Sequence, residues 1–178
     1  MSLLKPDLNV ERLTDIDINE WYHKGIRCIL IDLDNTISPW GKTNITEDAT
    51  VMIANARKAG VTVVLFSNAR EVRVREGAWN AGVSYYAAAR KPFTYKYKRA
   101  FADLSLACTE VMTIGDQIFT DVLGGNIAGC TTVLISPLSE REFSGTKLLR
   151  FLEKFLVGRK LVYRDRKDGL WNRNTLRE

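Results

Sequence analysis

Short apolar runs alternate with helical stretches along this chain, and that alternation restricts its possible folds most strongly. Strands are predicted at 27–33, 61–66, 83–86, 111–114 and 132–135. Helices are predicted between them, at about 46–57, 71–80, 94–106 and 119–128. The main strand runs are rich in β-branched residues and leucine and are apolar on both faces, as strands of buried parallel sheets are. The pattern therefore predicts an α/β fold, a three-layer Rossmann-like arrangement with a parallel sheet between helices.

Several helix ends are marked by residues with known capping preferences. Thr46 can cap the helix that follows it, with Glu47 and Asp48 near its positive end. Gly60 and Gly82 follow the first two predicted helices, where a left-handed residue commonly ends a helix.

A glycine-rich segment at 124–129 has only a loose likeness to a dinucleotide-binding loop. Its glycines have the wrong spacing, and no strand directly precedes it. We interpret it as a tight helix end that packs closely on its neighbours, and we exclude NAD as a ligand.

Length and composition indicate one soluble globular unit. The chain has 178 residues, 46% of them hydrophobic, and its three cysteines are too widely spaced to suggest disulfides or a zinc site. No apolar run is long enough to cross a bilayer, and the first ten residues do not have the features of a signal peptide. We expect a cytoplasmic protein with an N-terminal extension packed on the core (1–25), a catalytic domain (26–145) and a basic amphipathic helix and tail (146–178).

The basic charge of the chain is concentrated in its last part. Residues 1–145 carry a net charge of −1, whereas residues 146–178 carry +6. On a helical wheel of 146–157 the large apolar side chains fall within about 160° and the basic ones lie opposite. Three interpretations of this segment are open, and the first is a final helix docked on the sheet with a solvated basic face. The second is a peripheral contact with anionic phospholipid at the inner face of the membrane. Contact with RNA is a third possibility, but only basic charge supports it, and no nucleic-acid-binding motif is present.

Polar residues follow the predicted strands at the points where the strands end. They are Asp32, Asp34, Ser67, Asn68, Lys91, Asp116 and Asp121. Parallel sheets bind ligands beyond the carboxyl ends of their strands, so we expect these side chains to converge. Four carboxylates with no histidine or cysteine beside them favour Mg²⁺. Magnesium with a lysine and a hydroxyl can hold a phosphoryl group, while one aspartate attacks it and a second transfers protons.

The same residues carry a family resemblance. The segments DLDNT (32–36), SNA (67–69), KP (91–92) and GDQIFTD (115–121) resemble, in order and spacing, the four motifs of the haloacid dehalogenase superfamily. The resemblance spans about residues 26–136. Within that superfamily the chain is similar to YqeG-type phosphatases, and the similarity extends to VLGGN (122–126) and SPL (136–138). That family is related to phosphatidylglycerophosphate phosphatases.

The resemblance implies a role for each motif residue. Asp32 would be the nucleophile and would touch magnesium, and Asp34 would be the general acid and base, with its backbone carbonyl on the metal. Ser67 and the backbone amide of Asn68 would hold phosphoryl oxygens, and Lys91 would neutralise them and orient Asp32. The remaining two aspartates complete the site: Asp116 would bind magnesium directly, and Asp121 would hold the water ligands of the metal or Lys91.

Members of this superfamily usually carry a cap domain after the first or the second motif. Only 32 residues separate Asp34 from Ser67, and only 23 separate Ser67 from Lys91. Each interval is filled by one helix and one strand, so we expect no cap domain and an open site. An open site suits a phosphate carried on something large or anchored, such as a lipid headgroup, a protein or a nucleic acid end.

The motifs and their resemblance together predict that the protein is a magnesium-dependent phosphatase that forms an aspartyl-phosphate. By resemblance, its expected substrate is phosphatidylglycerophosphate. The alternatives are a phosphatase of soluble nucleotides or sugar phosphates and a non-catalytic binding protein. Nothing in the sequence predicts an oligomeric state.

Overall fold

A computed structural model of the protein describes residues 3–139, which form one six-stranded sheet with helices on both faces. All neighbouring strands are parallel, in the order β1-β6-β5-β2-β3-β4. The strands are β1 (Leu8–Val10), β2 (Cys28–Ile31), β3 (Thr62–Phe66), β4 (Ser84–Tyr86), β5 (Val111–Gly115) and β6 (Thr131–Ile135). The α-helices are α1 (Ile18–His23), α2 (Glu47–Lys58), α3 (Glu71–Ala81), α4 (Tyr95–Leu104) and α5 (Leu123–Ala128). Two short 3₁₀ turns lie at Leu13–Asp15 and Cys108–Glu110, and a π-helical turn lies at Ile118–Val122.

Side chains of the central strand β2 divide between two hydrophobic clusters, one on each face of the sheet. Ile29 and Ile31 belong to the cluster that includes buried residues of α2 and α3. Cys28 and Leu30 belong to the cluster that includes Tyr97 of α4. A strand buried on both faces explains why the sequence run is apolar without alternation. The predicted three-layer α/β fold is confirmed.

The strand β1 lies at one edge of the sheet and was not predicted. Its three residues are too few to show a pattern, and tertiary contacts hold them in place. The carboxylate of Asp7 accepts the N–H of Thr132 at 2.8 Å, and the N–H of Asp7 donates to the Thr132 carbonyl at 3.0 Å. The N-terminal segment thereby contributes a strand to the sheet, while the domain boundaries given above stay a prediction.

Helix ends agree with the predicted capping residues. The hydroxyl of Thr46 accepts the N–H of Ala49 at 3.3 Å at the start of α2. Gly82, with a φ of +65°, ends α3 in the left-handed conformation. Helix α4 ends at Leu104, two residues earlier than expected, because Ser105 adopts a φ of 55°.

The glycine-rich helix α5 packs closely on the sheet. A Cβ on Gly125 would lie 2.6 Å from Cγ2 of Thr132, so this position accepts no side chain without movement. The interpretation of this segment as a closely packed helix is confirmed.

No cap domain is present within residues 3–139, since one helix and one strand fill most of each interval between the motifs. No helix in this part of the chain is long and apolar enough to cross a membrane. The predicted basic helix and tail at 146–178 lie outside the described residues.

Candidate active site

The first motif begins where β2 ends at the carboxyl edge of the sheet. The N–H of Asp32 still donates to the carbonyl of Ile114 in β5, at 2.9 Å, and the chain then leaves the strand. Asn35 adopts a φ of 56°, a left-handed conformation that asparagine tolerates well. Asp32 and Asp34 are only 5% and 6% exposed. The turn therefore buries both carboxylates at the edge of the sheet.

Lys91 lies between two of the predicted carboxylates. Its Nζ donates to Oδ1 of Asp32 at 2.8 Å and to Oδ1 of Asp121 at 2.5 Å. Burial alone would lower the pKa of Lys91, but the two carboxylates outweigh it and raise the pKa above the ordinary value. The ammonium therefore stays charged in a buried position. Burial also raises the pKa of Asp121, an effect that Lys91 opposes.

Asn68, in the second motif, forms two side-chain hydrogen bonds with the backbone of Lys91, in the third motif. Its side-chain oxygen accepts the N–H of Lys91 at 2.7 Å, and its side-chain nitrogen donates to the Lys91 carbonyl at 3.1 Å. The resemblance assigns a role to the backbone amide of Asn68, and the structure adds this second role for its side chain. Ser67 is buried beside it at the end of β3, where its hydroxyl accepts the N–H of Ala69 at 3.3 Å. The amide side chain thus fixes the backbone from which Lys91 projects.

Three carboxylates are close enough to bind one cation. One oxygen from each of Asp32, Asp116 and Asp121 lies within 4.8 Å of the other two. All three residues are buried, and an all-oxygen set of carboxylates is the kind of site that Mg²⁺ prefers. The residues present therefore fit the expected metal. Asp34 is not part of this group, and the expected contact between its backbone carbonyl and the metal stays a prediction.

Asp121 reaches this cluster because of two local features. It lies on the π-helical turn Ile118–Val122, where its carboxylate accepts the N–H of Gln117 at 3.2 Å. Its side chain packs against Gly115 at the end of β5, where an added Cβ would lie 2.6 Å from the Cβ of Asp121. Helical periodicity predicts an ordinary helix from Phe119 onward, and the π turn differs from that prediction. Such turns are frequent at functional sites, and this one carries a predicted site residue.

Arg73 is a site residue that the sequence analysis missed. Its guanidinium forms an ion pair with Asp34, whose carboxylate also accepts the N–H of Gly41 at 3.1 Å. The same guanidinium lies 5.9 Å from the ring centroid of Trp40. The position of Arg73, in the first turn of a helix that begins at the site edge, was the only signal for it in the sequence.

Five of the predicted site residues thus fall into two groups. Asp32, Lys91 and Asp121 share direct contacts, and Asp116 completes the group of carboxylates. Asp34 instead contacts Arg73. A buried ammonium between carboxylates, next to a possible cation site, can bind and polarise an anionic phosphoryl group.

Comparisons with known proteins show to which family the chain belongs. A family model described as mitochondrial PGP phosphatase matches residues 1–138. The chain belongs to this family. It is also 31% identical over 152 residues to the probable phosphatase YqeG of Bacillus subtilis (strain 168), in an alignment that covers 85% of this chain and 88% of that protein. The resemblance to YqeG-type phosphatases and the interpretation of the chain as a phosphatase are confirmed.

Solved structures support the fold. An uncharacterized protein from Listeria monocytogenes serotype 4b has a TM-score of 0.54 at 14% identity, over 66% of this chain and 85% of that chain. The cobalt-bound form of the deoxy-D-mannose-octulosonate 8-phosphate phosphatase from Haemophilus influenzae has a TM-score of 0.51 at 14% identity, over 64% of this chain and 70% of that chain.

Proposed function

We propose that this protein hydrolyses a phosphomonoester in a magnesium-dependent reaction, through an aspartyl-phosphate on Asp32. The observation that carries the proposal is the contact of Lys91 with both Asp32 and Asp121, beside the cluster of three carboxylates. The ammonium holds the Asp32 carboxylate in place and offers positive charge to the incoming phosphoryl oxygens. Such preorganised charge is the main device by which enzymes accelerate phosphoryl transfer.

The first step forms the covalent intermediate. A carboxylate oxygen of Asp32 attacks phosphorus, and the bond between phosphorus and the ester oxygen breaks. Asp34 gives a proton to that departing oxygen, which leaves as an alcohol. In the second step a water oxygen attacks the same phosphorus while Asp34 takes a proton from the water. The bond between phosphorus and Asp32 breaks, and inorganic phosphate leaves.

The other site residues bind and position the phosphoryl group. The Ser67 hydroxyl, the Asn68 backbone amide and the Lys91 ammonium would contact its oxygens. Asp32, Asp116 and Asp121, with the backbone carbonyl of Asp34, would hold the metal. When bound, magnesium neutralises charge on the phosphoryl oxygens and lowers repulsion toward the attacking carboxylate.

We infer that the substrate is phosphatidylglycerophosphate, an anionic phospholipid that carries a phosphomonoester. Two observations support this substrate: the family to which the chain belongs, and the lack of a cap domain within residues 3–139. A site without a cap leaves room for a phosphate that stays anchored in a lipid surface. The reaction would then take place where a cytoplasmic protein meets the inner face of a membrane.

The test is phosphate release from phosphatidylglycerophosphate in mixed micelles, with Mg²⁺ and with EDTA, beside a panel of soluble nucleotides and sugar phosphates. We expect release that depends on Mg²⁺ and that is strongest with the lipid. Release from the soluble esters alone would keep the chemistry and overturn the lipid substrate. No release from any ester would favour a binding protein and overturn the proposal.

A further inference from the structure

Large apolar side chains are exposed beside the site, on the loops that leave β3 and β4 and on the first turns of the helices that follow. Phe93 is 73% exposed, Tyr95 is 71% exposed and Val72 is 66% exposed. Phe93 and Tyr95 lie just after Lys91, and Val72 lies in the first turn of α3. Since both loops follow the carboxyl ends of parallel strands, all three side chains lie at the edge of the sheet that holds the site. Exposed apolar groups clustered beside a site commonly mark a surface that binds a partner.

Two arginines, Arg70 and Arg90, lie on the same two loops. Arg70 and Arg90 are exposed, and neither forms an ion pair with any residue between 3 and 139. Arg70 precedes α3, and Arg90 precedes Lys91. We name the group formed by Arg70, Val72, Arg90, Phe93 and Tyr95 the rim surface. Its combination of apolar and positively charged groups complements an anionic bilayer, in which headgroups attract cations and the interfacial region accepts aromatic rings.

The loops that carry the rim surface are held together by backbone hydrogen bonds. The N–H of Ala88 donates to the carbonyl of Ala69 at 3.0 Å, and the N–H of Ala89 donates to the carbonyl of Ser67 at 2.9 Å. The N–H of Phe93 donates to the carbonyl of Arg90 at 2.9 Å. The Asn68 side chain also bonds the backbone of Lys91 on both sides. The exposed rings therefore project from a fixed part of the fold that also positions the active-site lysine.

We propose that the rim surface docks on a bilayer that contains anionic lipid. Phe93 and Tyr95 enter the interfacial region, Arg70 and Arg90 contact phosphate groups of the lipids, and the site edge faces the membrane. The inference rests on the proposed function, since docking in this orientation brings Lys91 and Asp32 to the depth of a lipid headgroup. It involves other residues than the predicted contact through residues 146–178, which lie outside the described part of the chain.

The test compares binding of the full chain to sedimented vesicles of phosphatidylcholine with phosphatidylserine, a lipid that has no phosphomonoester. The double variant Phe93→Ser, Tyr95→Ser is expected to bind about tenfold more weakly, because two rings lose their apolar burial. Arg90→Gln is expected to weaken binding about fivefold at low salt, the effect of one basic residue near an anionic surface. Trp79→Ser is the matched control. Trp79 is 86% exposed and lies in the last turn of α3, at the end of the helix that is farther from the site. Its variant is expected to bind like the natural protein.

Thermal unfolding of the same variants separates docking from internal packing. An unchanged melting temperature in the double variant, together with weaker vesicle binding, supports docking. A melting temperature lowered by several degrees with unchanged binding would mean that other parts of the chain cover the rings, and would overturn the inference. Equal losses in the Phe93, Tyr95 and Trp79 variants would also overturn it.

The failure of docking can be told apart from the failure of the proposed function. If the protein releases phosphate from phosphatidylglycerophosphate micelles but the double variant binds vesicles normally, only the docking inference is wrong. If vesicle binding depends on Phe93 and Tyr95 but no ester is hydrolysed, the docking inference holds and the proposed function is wrong.

Discussion

Arg73 pairs with Asp34, the predicted general acid, which is not one of the three carboxylates that could share a cation. Asp34 is nearly enclosed, with 8% of its side chain exposed, whereas 31% of the Arg73 side chain is exposed. The Gly41 N–H gives the carboxylate a second fixed donor, at 3.1 Å. We therefore interpret Arg73 as a positioning residue, which acts on the reaction through Asp34.

Replacing Arg73 should impair proton transfer more than binding. Arg73→Ala is expected to lower kcat on alkyl phosphates about tenfold or more, part of the roughly 10²–10⁴-fold that general acid–base catalysis supplies. The loss should be smaller with p-nitrophenyl phosphate, whose leaving group needs no proton. Arg73→Lys should restore part of the rate, because it keeps the charge but not the planar donor pair. Steady-state kinetics on both esters measure this difference.

Arg75→Ala is the control for the Arg73 variants. Arg75 is exposed on the same helix and forms no ion pair with any residue between 3 and 139, so we expect unchanged kinetics. Equal losses on both esters in Arg73→Ala would contradict a role through Asp34.

Replacing Asp32, the proposed nucleophile, should remove turnover and leave the fold intact. Asp32→Asn is expected to lower kcat by about a thousandfold or more, as loss of a nucleophile does in covalent catalysis. Lys91 keeps its contact with Asp121 in this variant, so the folded state keeps a paired lysine. Phosphate release and circular dichroism measure the two effects. Asp103→Asn, which changes an exposed carboxylate on α4, should retain full activity, whereas an active Asp32→Asn protein would rule out the aspartyl-phosphate.

Gly115 should tolerate no side chain, because Asp121 occupies the space that a Cβ would need. Gly115→Ala is expected to lower the free energy of unfolding by about 1–3 kcal/mol, the usual cost of overpacking. It should also displace Asp121 from Lys91 and reduce activity. Urea unfolding and phosphate release measure the two effects.

Gly60→Ala is the control for Gly115→Ala, because here an added Cβ strains the backbone but meets no close neighbour. Gly60 has a φ of +79° and ample space around it, so the alanine variant should lose about 1–2 kcal/mol through backbone strain alone. Its activity should not change. If Gly115→Ala were as active as the natural protein, the close approach of Asp121 would not matter for the site.

The cysteines should differ in their reactivity toward thiol reagents at pH 8. Burial raises the pKa of Cys28 to about 12 and raises the pKa of Cys130 as well. A raised pKa leaves the thiol protonated below that value, and only the thiolate reacts. Cys108 is partly exposed, so we expect one fast-reacting thiol in the native protein and three after unfolding. Cys108→Ser should remove the fast reaction, and rapid modification of all three thiols would contradict the packing around β2 and β6.

Much of the fold could be predicted because its signals are local. The run that forms β2 is apolar on both faces, and Thr46 and Gly82 mark helix ends through their own backbone and side-chain preferences. The edge strand β1 could not be predicted, since three residues show no pattern and their pairing partner lies more than a hundred residues away. The π turn at Ile118–Val122 escaped prediction for a related reason. Its shape depends on how Asp121 packs against Gly115, and helical periodicity does not show that contact.

The sequence by itself determined the order of strands and helices from residue 27 onward, the polar residues at the strand ends and the family to which they belong. Tertiary structure decided how those residues pair. Lys91 meets Asp32 across 59 positions of sequence and Asp121 across 30, and Arg73 reaches Asp34 across 39. Such contacts depend on the order in which parallel strands lie side by side and on the direction in which each loop leaves its strand. Hydrophobic periodicity determines which residues are buried, but only packing determines which buried charges come within bonding distance of one another.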